Sequence, residues 1–381
     1  MNLRKRSTLA LFWSLFSALP VPLRRGGISL LYDRRQKKLG ALKTPSQLTL
    51  FITNRCNARC EHCFYAGELF KGHELTLIEY ERLFSTLISP LESVLITGGE
   101  PFIRRDLLEI VKLAMTRAGR KKIVIPTNGS QTERILDSVS RLLALPDIEL
   151  EMQVSLDGFE ATHDRIRKVP GLFKEAVRTA QRIHQEFSRV RLNFMTTLWE
   201  KNYQEAFDLA QWVKTHTAIG HKFQLVRVSG KGVYGVPPDW LEELSSKEEA
   251  LGLPPLSELR QLFERIKSLS PESDLFDLLQ GLKNEYALNI LTDQRPQIRC
   301  QAGTLDAVIY PDGRTAICEM TKPFGSLAET DFNFEKLWNS QQARTARQLP
   351  NKCFCIHSCN LLRSIPFDRK SLQDLAGLKP G

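Results

Sequence analysis

Phe51-Ile52-Thr53-Asn54-Arg55-Cys56-Asn57-Ala58-Arg59-Cys60-Glu61-His62-Cys63 ends an apolar, strand-like run from Leu48 and opens a loop with C-x3-C-x2-C spacing. Three thiolates on one tight loop can hold three irons of a [4Fe–4S] cube and leave the fourth iron open to a ligand. A structural zinc site would need a fourth ligand close by. His62 is available, but its neighbour Cys63 points elsewhere, which makes a closed site awkward. Ordinary unligated thiols are the third reading.

Outward from this loop the chain alternates. Leu48–Thr53, Ser93–Thr97, Lys122–Pro126, Glu149–Ser155, Arg191–Thr197 and Lys222–Val228 are apolar, β-branched runs. Between them Leu77–Leu87, Leu107–Arg117, Glu133–Leu143, Leu172–Phe187 and Tyr203–Thr215 carry apolar residues every three or four positions. Strands alternating with helices predict parallel βα units and the α/β class. In parallel α/β folds ligands and chemistry sit at the carboxyl ends of the strands, where the unusual residues fall. Strand two ends in Thr97-Gly98-Gly99-Glu100-Pro101, strand three in Pro126-Thr127-Asn128-Gly129, and strand four in Val154-Ser155-Leu156-Asp157-Gly158, followed by His163, Asp164 and Arg167. Paired glycines let the backbone approach a ligand closely, and the carboxylate beside them can accept hydrogen bonds from an amine. Asn-Gly and Asp-Gly also read as turns, and His163 and Asp164 as helix-start caps. Asn193, Thr196, Asn202 and Arg227-Val228-Ser229-Gly230, at or after strands five and six, would face a ligand.

The cysteine loop, followed one strand later by Gly98-Gly99-Glu100-Pro101, resembles the radical S-adenosylmethionine (radical SAM) superfamily. The resemblance covers residues 47–230 and implies a partial (β/α)6 TIM-like barrel. It implies that Cys56, Cys60 and Cys63 hold a [4Fe–4S] cluster whose open iron chelates the amino and carboxylate groups of SAM. Reductive cleavage of SAM would give a 5'-deoxyadenosyl radical that removes hydrogen from a substrate. By the same resemblance Gly98, Gly99, Glu100 and Pro101 bind the SAM amino group, and Thr127 and Asn128 lie beside the cofactor. Ser155 is expected near the carboxylate or ribose, and Arg167 on the carboxylate, which a guanidinium fork suits. His62 takes a position that is usually aromatic and lies near the adenine. Asp157 is expected to face the substrate as the catalytic residue. The cluster would draw electrons from a flavodoxin- or ferredoxin-type donor.

Five more cysteines follow: Cys300, Cys318, Cys353, Cys355 and Cys359. Ala307–Tyr310 and Thr315–Ile317 flank Pro311-Asp312-Gly313 and predict a β-hairpin that brings Cys300 and Cys318 to one side. A helical run, Phe334–Arg347, leads to Cys353-x-Cys355-x3-Cys359. Residues 297–361 resemble the twitch and SPASM extensions of the same superfamily. This implies a small C-terminal α+β domain, a β-hairpin plus helix, that binds an auxiliary cluster. Five thiols are too few for two fully ligated cubes, so one auxiliary [4Fe–4S] cluster is expected. Cys300 and Cys318 are its firm ligands; Cys359 is the next, and Cys353 or Cys355 completes the set. Zinc and disulfides are the alternatives. The cluster would accept an electron from an oxidised substrate radical or relay electrons inward. Residues 231–296 are expected to form a helical bridge and 362–381 a C-terminal tail.

Charge is unevenly placed. Residues 1–46 hold ten Lys/Arg and one acid, so of the net +10 the remaining chain carries only +1. No overall basic excess in the body points to nucleic acid. Within the basic segment Leu9, Phe12, Trp13, Phe16 and Leu19 share one helical face. The apolar run from Leu9 to Leu23 is too short, and too interrupted by Pro20 and Pro22, to span a bilayer. Arg24-Arg25 follows it directly and argues against a cleaved export signal. It reads as an interfacial anchor for an anionic membrane surface, or as a helix packed on the enzyme's own barrel, or as a partner-docking tail. The expected location is cytoplasmic, peripheral on the inner face of the membrane. The substrate is expected to be a small molecule or lipid-linked. A ribosomally made peptide is the alternative, with a separate recognition protein because only 46 residues precede the first strand. The non-enzyme alternative is a cysteine-rich zinc-binding scaffold.

Overall fold

Every second side chain of the first strand is aliphatic, and this alternation builds the fold. In the computed structural model, which describes residues 19–227, 232–242, 251–269 and 275–377, Gln47–Thr53 (β1) places Leu48, Leu50 and Ile52 in one buried core with Tyr80, Leu83 and Phe84 of the helix Leu77–Ser85. The other face, Thr49, Phe51 and Thr53, turns inward. The pattern recurs in Leu91–Gly98 (β2), Ala118–Thr127 (β3), Glu149–Ser155 (β4), Arg191–Leu198 (β5) and Gly220–Leu225 (β6), which run parallel in that order. The strands are therefore those expected from the sequence. Val228, Ser229 and Gly230 lie outside the described residues.

The connecting helices Leu107–Thr116, Thr132–Leu143, Leu172–Glu186 and Ala206–His216 match the expected runs. Glu160–Arg167 is an additional helix. It is too short and too charged to show a periodicity, yet His163, Ile166 and Arg167 are buried.

The C-terminal hairpin joins the same sheet. Asp306–Ile309 (β8) pairs parallel with β1, from Gln47 opposite Asp306 to Leu50 opposite Ile309, and Arg314–Ala316 (β9) returns antiparallel. Gly325–Ser326 (β10) closes the edge of a nine-stranded open sheet. Phe51 contacts Tyr65 and Tyr310 at centroid distances of 4.9 and 5.2 Å, which welds the hairpin to the cysteine loop. A two-stranded ribbon pairs Val233–Tyr234 (β7) with Phe354–Cys355 (β11). The predicted Phe334–Arg347 helix is two short helices, Phe334–Trp338 and Gln341–Ala346, split where Ser340 caps the second. Residues 362–377, expected in a tail, complete a helix, Ser358–Ser364, and then form a 3-10 turn and a second helix, Arg369–Leu375, whose Leu372 and Leu375 are buried.

The expected amphipathic segment lies mostly in residues 1–18, outside the described residues. A helix, Val21–Gly40, begins where the apolar run ends, with Pro20 and Pro22 at its start, a position proline suits. Ile28 and Tyr32 pack on Leu372 and Ala376, and Arg24 Nη1 donates to Ala376 O at 2.7 Å. On the opposite side Leu23 and Leu30 are 60% and 53% exposed. No helix among the described residues is long and apolar enough to cross a membrane.

Candidate cluster and cofactor site

The cysteine loop is held from three sides. Gly99 N donates to Thr53 O at 2.8 Å and Glu100 N to Arg55 O at 2.9 Å, laying the end of β2 against the start of the loop. A Cβ at Gly98 would sit 2.3 Å from Thr53 O, and one at Gly99 2.1 Å from Arg55 O. Only glycine permits this approach. Arg59 N and Glu61 N donate to the carbonyls of Arg167 and Ile166 at 3.3 and 2.8 Å, tying the loop to the end of the Glu160–Arg167 helix. Asn57 makes the third tie: its Oδ1 accepts from Asn128 Nδ2 at 2.9 Å and its Nδ2 donates to Ser130 Oγ at 2.7 Å.

Cys56, Cys60 and Cys63 are half-buried and in no disulfide. Burial first, then the neighbouring Glu100, Cys60 and Cys63, push the Cys56 thiol up to about 12, against a hydrogen bond from Ala58 N–H. Crowded thiols of this kind ionise when a cation takes the place of the proton, so the donor set suits an iron–sulfur cluster.

Glu100 is buried. Its Oε1 accepts from Thr127 Oγ1 at 2.9 Å and its Oε2 from Asn128 N at 2.8 Å. Burial lifts its carboxyl to about 7 in spite of these bonds, so a cation arriving beside it would be bound strongly. Gly98, Gly99, Glu100, Thr127 and Asn128 thus form one hydrogen-bonded unit with the loop. Pro101 opens the short turn Pro101–Ile103 that Glu100 caps. Ser155 ends β4, half-buried, on the face that alternates with Met152 and Val154.

Asp157 and Arg167 depart from expectation. Asp157 is fully buried. Its Oδ2 accepts from Arg167 Nε and Nη2 at 2.7 and 2.6 Å, and its Oδ1 from Thr197 N at 3.0 Å. Burial raises the carboxyl, but Arg167 and the two imidazoles of His62 and His163 outweigh it and hold it at about 2. In this structure the Asp157 carboxylate, expected to face the substrate, is taken up by Arg167 and Thr197 N. Arg167 likewise makes on Asp157 the two-nitrogen grip expected on a ligand carboxylate. His62 is buried with Nε2 3.5 Å from Asp157 Oδ2 and its ring 5.9 Å from that of Trp199. His163 Nδ1 accepts from Asp157 N at 2.9 Å, while Asp164 accepts from Gly171 N and Phe173 N at the start of the next helix.

The second thiol group gathers around the hairpin. Burial, and then the neighbouring Cys355, Cys318 and Cys353, push the Cys300 thiol well up, and a small cavity is lined by Cys300, Cys353, Cys355 and Asn360. Asn360 Nδ2 lies 3.0 Å from Cys318 Sγ. Cys359 sits beside His357, which reaches Glu319 at 2.9 Å; Glu319 meets Arg227 Nη1 at 2.7 Å. Glu319 and His357 were missed by sequence reasoning. His357 lies inside the Cys355-x3-Cys359 spacing, a signal that could have found it; Glu319 offers none beyond its place after Cys318. Asn57, Thr197 and Trp199 were also missed, because their roles come from tertiary contacts. Among the described residues no three Cys, His, Asp or Glu side chains converge on a point where one metal ion would sit.

Residues 50–213 match the model of the radical SAM superfamily, and residues 300–360 that of an iron–sulfur cluster-binding domain, SPASM. Fe-coproporphyrin III synthase of Methanosarcina barkeri is 32% identical over 201 residues, 48% of this chain and 47% of that protein. GTP 3',8-cyclase of a Synechocystis species is 30% identical over 186 residues, 48% of this chain and 52% of the relative. The chain thus spans about half the length of these curated relatives. In fold it resembles SuiB of Streptococcus suis bound to its precursor peptide SuiA, with TM-score 0.56, 15% identity and 83% and 70% of the two chains covered. It also resembles anSMEcpe with bound AdoMet, with TM-score 0.54, 14% identity and coverage of 87% and 97%.

Proposed function

Because the chain belongs to the radical SAM superfamily and carries a SPASM iron–sulfur domain, we propose that it cleaves S-adenosylmethionine reductively at Cys56, Cys60 and Cys63 and removes hydrogen from a small-molecule or lipid-linked substrate. When bound, the [4Fe–4S] cluster and SAM supply a carbon radical able to take a hydrogen atom. The observation that carries this reading is the hydrogen-bonded unit of the loop, Gly98-Gly99-Glu100 and Thr127-Asn128. Glu100 presents a carboxylate oriented by Thr127 and Asn128 to the amino group of SAM. The Asp157–Arg167 pair, with His62 and Trp199 against it, stiffens the wall behind the loop. Ser155 offers a hydroxyl at the same end of the sheet.

Cys300, Cys318 and two of Cys353, Cys355 and Cys359 would hold one auxiliary [4Fe–4S] cluster, which would supply an acceptor for the electron left on an oxidised substrate. Anaerobic reconstitution tests this: the full chain takes up about eight irons, two cubes of four, and forms 5'-deoxyadenosine with dithionite. Of Cys353→Ala and Cys355→Ala, one keeps about eight irons and the other falls to about four. Zinc uptake without iron overturns the reading.

The substrate reading draws on the Val21–Gly40 helix, whose outward Leu23 and Leu30 and adjacent cations suit a cytoplasmic, anionic membrane face. Each leucine contributes roughly 1.5 kcal/mol or more when buried. Leu23→Asp with Leu30→Asp is therefore expected to weaken binding to phosphatidylglycerol vesicles at least about tenfold and leave SAM cleavage intact. Unchanged vesicle binding removes the support for a lipid-linked substrate. A peptide is the second reading, favoured by the fold likeness to SuiB, seen with SuiA, and to anSMEcpe, seen with the Kp18Cys peptide. A flavodoxin- or ferredoxin-type protein supplies the electron.

A further inference from the structure

The outer side of the cysteine loop is charged unlike the rest of the body, which is close to neutral beyond residue 46. Arg55 and Arg59 lie on the loop, Arg105 follows the Gly98–Pro101 turn, and Arg134 and Arg141 lie on the Thr132–Leu143 helix; all five are exposed. Contacts join them into one surface. Arg55 pairs with Glu74 at 2.8 Å, and Glu74 lies 4.0 Å from Arg104. Arg104, Arg105, Arg134 and Arg141 line one cleft, across which Arg134 Nη2 donates to Ile103 O at 2.9 Å. The carboxylates here are neutralised: Glu74 by Arg55, Asp106 by Arg104 at 2.8 Å, and Asp137 by Arg141 at 3.8 Å. Among the described residues no carboxylate lies within ion-pair distance of Arg59, Arg105 or Arg134.

Phe70 stands on this face, 54% exposed and at φ +64°. A bulky residue seldom holds that conformation, and where it persists the surroundings impose it. Here Phe70 N donates to Asn54 O at 2.9 Å, and the Arg59 guanidinium lies 4.4 Å from the ring centroid. Arg59 Nη1 in turn donates to Cys56 O at 2.9 Å. The arginine beneath this exposed aromatic is thus bonded directly to the backbone of Cys56, and the aromatic itself to Asn54 two residues before it.

We propose that this face docks an acidic one-electron carrier protein, with Phe70 and Arg59 at the centre and Arg105 and Arg134 as the steering rim. The proposal rests on reading Cys56, Cys60 and Cys63 as a cluster site. In the step served, the reduced carrier loses one electron and the cluster gains it. The inner side of the loop is occupied by Glu100 and Asn128, so the outer side is the approach left to a protein. Aromatic and arginine residues at the centre with charges around them are what transient interfaces use. Unpaired rim charges raise the encounter rate with an oppositely charged partner. One exposed ring is too little apolar surface to anchor on a membrane.

The test uses the reconstituted full chain and an acidic flavodoxin. Binding of oxidised flavodoxin is measured by biolayer interferometry for the native chain and for Arg105→Glu with Arg134→Glu. The Kd is expected to rise about tenfold or more, and native binding to weaken as salt rises from about 0.05 to about 0.5 M. SAM cleavage driven by reduced flavodoxin falls with it, whereas cleavage driven by dithionite, which needs no docking, is unchanged. Phe70→Ala is expected to weaken flavodoxin binding and spare the dithionite reaction. Absence of flavodoxin binding, or a Kd unmoved by the charge reversals, overturns the proposal. An equal loss of binding to anionic vesicles or to DNA also overturns it, since the face would then be a general anion surface. No cleavage by the native chain with dithionite would instead strike the proposed function.

Discussion

Cys60→Ala is expected to lower iron from about eight to about four per chain and to abolish 5'-deoxyadenosine formation, while the auxiliary cluster stays loaded. The three thiols rise from a loop whose backbone is tied elsewhere, through Arg59 N and Glu61 N to Arg167 and Ile166 and through Glu100 N to Arg55. Removing one sulfur therefore leaves the loop in place but gives the cube only two protein ligands. Metal binding and the ordering of such a loop are coupled, so the loss is all or none at that site. Iron content and cleavage, measured on the same sample, separate this from misfolding: a misfolded chain would lose the second cluster too. Turnover equal to the native chain's would refute the assignment of an open-cornered cluster to this loop.

Gly99→Ala has the next largest effect, with no change in charge or ligand set. The added methyl would lie 2.1 Å from Arg55 O and 3.1 Å from Cys56 Cβ. Both obstacles are next to the first ligand, and the nearer is backbone, which cannot rotate away. The end of β2 must then part from the loop, breaking the Gly99–Thr53 and Glu100–Arg55 hydrogen bonds. A loss of about 2–4 kcal/mol in unfolding free energy is expected, with weakened SAM binding by calorimetry. Gly26→Ala is the control. Nothing lies within 4 Å of its Cβ position, and alanine favours a helix over glycine by up to about 1 kcal/mol, so this variant is as stable as the native chain or more so. Equal stability of Gly99→Ala would mean that the loop and β2 do not meet as described.

Much of the fold could be read in advance because its carriers are local. A strand with alternating aliphatic residues, such as Leu48, Leu50 and Ile52, declares its own periodicity, and β4 runs from Glu149 to Ser155 as expected. The Glu160–Arg167 helix was not legible. Its eight residues are mostly polar, and its burial depends on the loop that packs on it. The split of Phe334–Arg347 was hidden for a related reason: Ser340 acts as a cap only once the chain has turned there. At the site, cysteine spacing and paired glycines state a ligand's needs directly. The roles of Asp157 and Arg167 could not be stated, because a charged side chain's partner is a matter of distance, and the two are ten positions apart.

By itself the sequence determined the alternation of strand and helix, the two thiol groups and the glycine-bearing turn, since each follows from residue type and spacing along a few turns of chain. Tertiary structure alone decided that β8 pairs parallel with β1, more than 250 residues earlier, so that the hairpin extends the same sheet. It alone decided that Asp157 and Arg167 satisfy each other, that Glu319 stands among the second thiols, and that Phe70 meets Arg59 outside the loop. These are meetings between distant segments, and low-dielectric burial, which selects partners for buried charges, exists only once those segments have packed.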